Sequence, residues 1–197
     1  MAVIPEQEEE NGQARAVILA PRRFNMTRLD NLCNKDCAVA QLSTQQGTMI
    51  VASIYLDINL TPSPDWLDTL VWYADNKGCR LVIGVDSNAH SQLYGPDTNR
   101  RSEVFEEVIL AHGLYVENIG IAPTFEVCRN DRHIQTHIDV TLTKGDVTVH
   151  DWQVHRGYNG SDHNTITWAV DDRVPEAEPT RNWKKAKWDL FTQSLTN

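Results

Sequence analysis

The sequence has no run of about 18 consecutive apolar residues, so no segment is long enough to cross a bilayer as a helix. Its first residues, MAVIPEQEEENG, carry neither a basic flank nor an apolar stretch, which excludes a secretory signal at that position. Cysteine is sparse. Cys33, Cys37, Cys79 and Cys128 include no C-x-x-C pair, and no histidine spacing completes a zinc site. Reduced thiols in an intracellular protein are the expectation. The four-residue spacing of Cys33 and Cys37 would permit a redox or metal role that nothing else supports. Positive charge is also short: 18 Lys and Arg against 27 Asp and Glu give −9, which excludes a strongly basic nucleic-acid binder. No segment repeats.

The acidity is uneven. Glu6, Glu8, Glu9 and Glu10 crowd the first ten residues, and 171–178 carry a net −3, so only −2 of the −9 falls on the remainder. A near-neutral body can hold an acidic metal site and still meet phosphate through local basic groups. Residues 1–13 are expected to be a disordered acidic tail, 14–170 a single domain, and 171–197 a Pro- and Glu-rich linker followed by a basic, aromatic helical segment. That last segment carries Trp183, Lys184, Lys185, Lys187 and Trp188, a pattern open to base stacking or to packing as an amphipathic helix.

With 41% hydrophobic residues the chain can bury a core. The runs at 15–20, 36–43 and 48–56 are apolar and β-branched enough for strands, with a hairpin turn at 45–47. Ser63 and Pro64 open a helix as N-cap and first residue. Trp66, Leu67, Leu70, Val71 and Ala74 give it one apolar face, and Gly78 stops it. Leu81–Val85 is a continuous apolar run, as for a strand buried on both faces. A second helix covers 100–112, its stripe made of Val104, Phe105, Val108, Ile109 and Ala111, with Asn99 and Asp97 competing to cap it. Short strands are expected at 115–118, 138–142, 152–156 and 163–170. The fold class is therefore mixed α/β or α+β: layered sheets, a β-sandwich, flanked by helices.

Three stretches place acids and amides at strand ends. In IGVDSNAHS a buried strand delivers Asp86, and alternation along an extended chain would put Asn88 on the same side. Asp and Asn are also ordinary turn residues. In THIDVTL, Asp139 sits within a β-branched strand, where a buried carboxylate is costly unless paired; the alternative is a strand-edge residue facing water. In GSDHNTITWAV, Asp162 and His163 precede the last strand, a pairing suited to metal binding and proton transfer, although each is common in loops.

Taken in order, D-x-N after a strand, I-D within a strand and S-D-H before the last strand form a pattern. It resembles the endonuclease/exonuclease/phosphatase superfamily, and within it the endonuclease domains of non-LTR retrotransposons. VDSNAHSQLYG, TNRRS, the stretch Gly120–Phe125, HIDVTL and the SIYL carrying Tyr55 favour that subgroup, and the match runs from about Arg15 to Val170. The resemblance implies a metal-dependent phosphodiesterase that nicks DNA. Asp86 then aligns or deprotonates the attacking water, and Asn88 and Tyr55 contact the phosphate. Asp139 orients the histidine, His163 faces the phosphate, and Asp162 is a ligand of a divalent metal. Hard oxygen ligands imply magnesium, with manganese as the alternative.

The family pattern also begins with an Asn-bearing strand and a Glu-bearing strand upstream of RAVILA. No strand is expected before residue 15, and Glu6 to Glu10 do not fit the ligand motif. The expectation is an N-terminally truncated chain with impaired activity, lacking the first strands. Its competitors are a non-catalytic retroelement relic with weak nucleic-acid binding and a phosphoesterase acting on another ester. The family role implies a downstream reverse transcriptase region and nuclear action, without a localisation signal. His90 could touch phosphate and Arg100 and Arg101 a DNA backbone. His133, His150 and His155 are expected at the surface. His137 has no evident reason.

Overall fold

The computed structural model describes residues 2–3, 13–21, 23–60, 65–157 and 159–172. The expected cap at Ser63 and Pro64, and the tail beyond 172, lie outside these residues. In chain order the elements are β1 (Ala2–Val3), β2 (Ile18–Leu19), β3 (Met26–Arg28), β4 (Cys37–Thr44), β5 (Gly47–Tyr55), α1 (Asp65–Lys77), β6 (Arg80–Asp86) and α2 (Arg100–Ala111). They continue with β7 (Tyr115–Val116), β8 (Phe125–Arg129), β9 (Arg132–Thr136), β10 (Asp139–Lys144), β11 (Val149–His155) and β12 (Thr165–Val170).

Six strands form the central sheet, in the order β3-β4-β5-β6-β10-β7. β5 and β6 run parallel, joined through α1, and the other neighbours are antiparallel. The crossover follows from the sequence: a helix with one apolar face between two apolar strands can bury that face only by packing back on the sheet. Leu67, Leu70, Val71 and Ala74 of α1 and Phe105, Val108 and Ile109 of α2 are buried against Ile54, Leu81, Ile83, Val85, Val140 and Leu142. Val104 and Ala111 of the expected α2 stripe are exposed instead, so that face is narrower than the stripe implied. Asn99 wins the cap: its side chain accepts from Ser102 N at 3.0 Å. Gly113 closes the helix at φ +60°, where glycine alone is unstrained.

The opposite face is covered in two pieces. On one side Met26 and Ala40 form a small apolar cluster with Ile18, Phe24, Leu42 and Val51. On the other, the β11–β12 ribbon lies against β10, where Trp152 Nε1 donates to Thr141 Oγ1 at 3.0 Å. Between them the middle of β6 is open. Val82, Gly84 and Asp86 share this face by alternation; Gly84 is exposed, and a Cβ there would meet nothing within 4 Å. β6 is thus buried on both faces only in part.

Four strands are additional to the sequence reading. β1 pairs with β2, with Ala2 opposite Leu19 and Val3 opposite Ile18, so a strand does precede residue 15. β3 pairs with β4 along Met26–Arg28. The hairpin β8–β9 fills 125–136, its turn made by Asn130 and Asp131 at φ +49° and +59°. Strands near 163–170 and 115–118 are shorter than expected, and His163 stands before β12 in an isolated bridge to Phe125.

Glycine inside a strand is worth about 0.5–1 kcal/mol less than alanine. With open space over Gly84, Gly84→Ala is expected to raise the urea-denaturation midpoint by a comparable free energy. A lower midpoint would mean that the face of β6 at Gly84 is covered.

Candidate active site

Strand register builds the site. Tyr55 ends β5 opposite Asp86, which ends β6, and Asp86 lies opposite Asp139, which begins β10. Residues in register point to the same face, so a phenol and two carboxylates form a row across three neighbouring strands. His163 reaches this row from the loop before β12. Its Nδ1 lies 3.0 and 3.1 Å from the two carboxylate oxygens of Asp139, and its Nε2 lies 3.8 Å from Asp86 Oδ2. The tautomer that satisfies Asp139 carries its proton on Nδ1 and directs Nε2 toward Asp86. Among the described residues, Asp86, Asp139 and His163 are the group that could share a metal ion, each offering one ligand atom within 4.8 Å of the others.

Burial and crowding set the electrostatics. Asp86 is pushed up to about 6, first by burial and then by the neighbouring charge of Asp139, with His163 opposing. Its Oδ1 is buried and has no hydrogen-bond partner. The hydrogen bond that His163 donates to Asp139 raises the imidazole above its usual range, against partial desolvation.

The surrounding chain locks the row. Ser87 donates to Ile138 O through its N at 2.8 Å and its Oγ at 2.7 Å. Thr124 Oγ1 accepts from the N–H groups of Ile138 and Asp139 at 3.0 Å each. Asn118 donates to Asp139 O and accepts from Thr141 N, both at 2.9 Å. Arg101 points inward, toward the carbonyls of Leu56 at 3.2 Å, Asp57 at 2.9 Å, Ser87 at 3.2 Å and Leu60. It ties the β5 and β6 exits together instead of reaching outward.

The row opens into a cleft of about 450 Å³, with Arg15, Ser53, Gly84 and Trp168 among its lining residues. Arg15 pairs with Asp36, meets Asp57 Oδ2 at 2.6 Å and lies 4.5 Å over the Tyr55 ring, a cation–π contact. This pairing holds Asp57 at about 2.

The six sequence-derived candidates separate into two sets. Tyr55, Asp86, Asp139 and His163 converge. Asn88 sits just past β6 but not by alternation: its φ of +48° turns the chain, and its Nδ2 donates to Leu56 O at 3.1 Å. Asp162 stands outside the group, 53% exposed, its carboxylate 3.9 Å from Arg129 Nη2. His137 finds a reason: Nε2 meets Ile121 O at 3.1 Å, and its Cβ lies where a Cβ at Gly95 would intrude, at 2.6 Å. Arg15 and Thr124 carried no individual signal, since a single arginine beside an apolar run or a threonine before a phenylalanine has no periodic mark.

The family described as endonuclease-reverse transcriptase matches residues 49–167. No curated protein matches the chain. Among solved structures, the endonuclease domain of TRAS1, a telomere-specific non-LTR retrotransposon, is 22% identical, with a TM-score of 0.74 over 87% of this chain and 80% of that one. The fold is therefore the layered α+β endonuclease/exonuclease/phosphatase fold. The human Nocturnin catalytic domain is 13% identical, with a TM-score of 0.48 over 78% of this chain and 63% of that one. A mannosyl-6-phosphatase of Bacteroides thetaiotaomicron is 10% identical, with a TM-score of 0.45 over 68% and 56%.

The raised Asp86 has a consequence for stability. Between its ordinary 3.8 and about 6 the folded chain holds a proton that the unfolded chain releases, so stability falls as pH rises through that window. Above it the buried charge costs roughly 2–3 kcal/mol. Asp86→Asn is expected to stabilise the metal-free protein by roughly 2 kcal/mol at pH 7.5 and to leave it unchanged at pH 4. Chemical denaturation at both pH values checks this, and equal stability at pH 7.5 would contradict it.

Proposed function

Because the chain belongs to the endonuclease-reverse transcriptase family, we propose that it is a metal-dependent phosphodiesterase that nicks DNA as the endonuclease unit of a non-LTR retrotransposon. The activity is assigned to the unit spanning 14–170, with a reverse transcriptase region as its partner in the parent polyprotein. The observation that carries the reading is the row Tyr55–Asp86–Asp139 with His163 Nδ1 bonded to Asp139. That arrangement puts a carboxylate base and a held imidazole on one side of a cleft able to receive a phosphodiester.

Asp86, ionised above about 6, takes a proton from a water in the cleft. The water oxygen bonds to phosphorus, the bond from phosphorus to the 3′ oxygen breaks, and solvent protonates the departing oxygen. Asp139 keeps the His163 tautomer fixed and favours the cationic imidazole, which offsets negative charge building on the phosphate. Tyr55, under Arg15, donates from the other end of the row, and Asn88 adds an amide beyond it.

A divalent metal fits these residues. Asp86 and Asp139 offer hard oxygens, and the buried, unpartnered Asp86 Oδ1 is a group that a cation would satisfy. Magnesium, or manganese in its place, would be held by Asp86 and Asp139, with Asp162 the further carboxylate on the same loop as His163. When bound, it supplies charge neutralisation at the phosphoryl oxygens.

A second reading, DNA binding with little or no cutting, draws on the small donor set. Among the described residues, the two carboxylates and one imidazole that converge are fewer hard ligands than a tightly held magnesium prefers.

Supercoiled plasmid with magnesium is expected to be nicked, and EDTA is expected to stop the reaction. His163→Ala is expected to lower the rate by about 10²–10⁴-fold. Binding without any nicking by the folded wild type would select the second reading. Hydrolysis of small phosphomonoesters in preference to DNA would overturn both.

A further inference from the structure

The bond to Asp139 fixes one edge of the His163 ring. It does not fix the plane, because the histidine χ2 torsion is broad and the side chain is 36% exposed. One neighbour supplies the missing constraint. The Phe125 ring meets the imidazole edge to face, with centroids 5.1 Å apart and planes at 77°. Their backbones also pair in an isolated antiparallel bridge. The two rings are thus tied at the backbone and again at their tips.

We propose that Phe125 is a positioning residue that holds the His163 imidazole with Nδ1 on Asp139 and Nε2 toward Asp86 and the cleft, an inference that rests on the phosphodiesterase reading. Phe125 is suited to the task by its place. It begins β8, opposite Thr136 at the root of the hairpin. The residue before it, Thr124, receives the Asp139 N–H, and Asn164, the residue after His163, donates from its N to Thr124 O at 2.7 Å. The residue after it, Glu126, donates from its N to Asp162 O at 2.8 Å. The hairpin root is therefore stitched to Asp139 and to the residues flanking His163, and Phe125 is the side chain there that meets the imidazole. A flat aromatic edge restricts ring rotation in a way that an aliphatic side chain of similar bulk does not.

The test compares Phe125→Leu, Phe125→Ala and Phe125→Tyr in the full chain, each checked for folding by circular dichroism. Two readouts are used: steady-state nicking, and the Nδ1 proton of His163 seen by NMR with nitrogen-15-labelled histidine and assigned by its absence in His163→Ala. Leucine keeps the apolar volume if alanine fails to fold. The leucine variant is expected to lower kcat about 10- to 100-fold with KM within about twofold, as for a misplaced reacting group, and to lose the proton signal. The tyrosine variant is expected to restore both. Unchanged kcat and an unchanged proton signal in a folded Phe125→Leu protein would overturn the proposal. If the wild type nicks no DNA, the functional reading falls, and the proton signal alone decides the inference: retained in leucine it is refuted, lost in leucine and kept in tyrosine it stands.

Discussion

Two carboxylates on adjacent strands, Asp86 and Asp139, face one another across a register that the sheet does not let them escape. Like charges so placed resist joint ionisation. The molecule settles the conflict asymmetrically. Asp139 takes a hydrogen bond from His163 and remains the anchored partner, whereas Asp86 stays buried with one oxygen unsatisfied and its carboxyl raised to about 6. One acid is thereby tied to the imidazole and the other keeps an oxygen without a partner. The surrounding construction can be understood as keeping that division in place.

Much of that construction lies in backbone hydrogen bonds. The loop after β6 is fastened to the residue before Asp139 through Ser87, and the start of β10 is fastened to the root of the β8–β9 hairpin through Thr124. Arg101, directed at backbone carbonyls from two loops, closes the exits of β5 and β6. Each of these groups satisfies polar atoms that strand ends otherwise leave bare. The cost of carrying ionisable side chains at the sheet's edge is offset by rigidity around them, as a site needing positions held within fractions of an ångström requires.

How much of this was legible depends on whether a residue leaves a periodic or ordered trace. The helix faces through Leu67, Leu70 and Val71, and through Phe105 and Val108, follow from 3.6-residue spacing, and Asn99 is recognisable as a cap by its type and place. Asp86, Asp139 and His163 were found because each stands at a strand boundary in a recurrent order. The hairpin at 125–136 left no such trace: most of its residues are exposed on both faces, so no alternation marks it. Asn88 was misdirected for a local reason. Alternation assumes an extended chain, and a φ of +48° ends that assumption two residues after Asp86. Arg15 became visible only when tertiary contact brought it over Tyr55 and between Asp36 and Asp57.

The open floor of the cleft completes the logic of the site. A β-sandwich ordinarily buries the inner faces of both sheets. Here one face of β6 is covered by α1 and α2, and the other is left bare at Gly84, between the residues at 15–16 and those at 166–168. The bare stretch leads directly to Asp86. The same strand therefore serves two ends: its helix-side residues, Leu81, Ile83 and Val85, anchor the core, while Gly84 and Asp86 on the other face line the floor and the end of the cleft. Period two in the backbone is what separates stability from chemistry along seven consecutive residues. Any substitution that shifted the register of β6 by one residue would exchange the two faces, sending Asp86 into the helices and Val85 into the cleft.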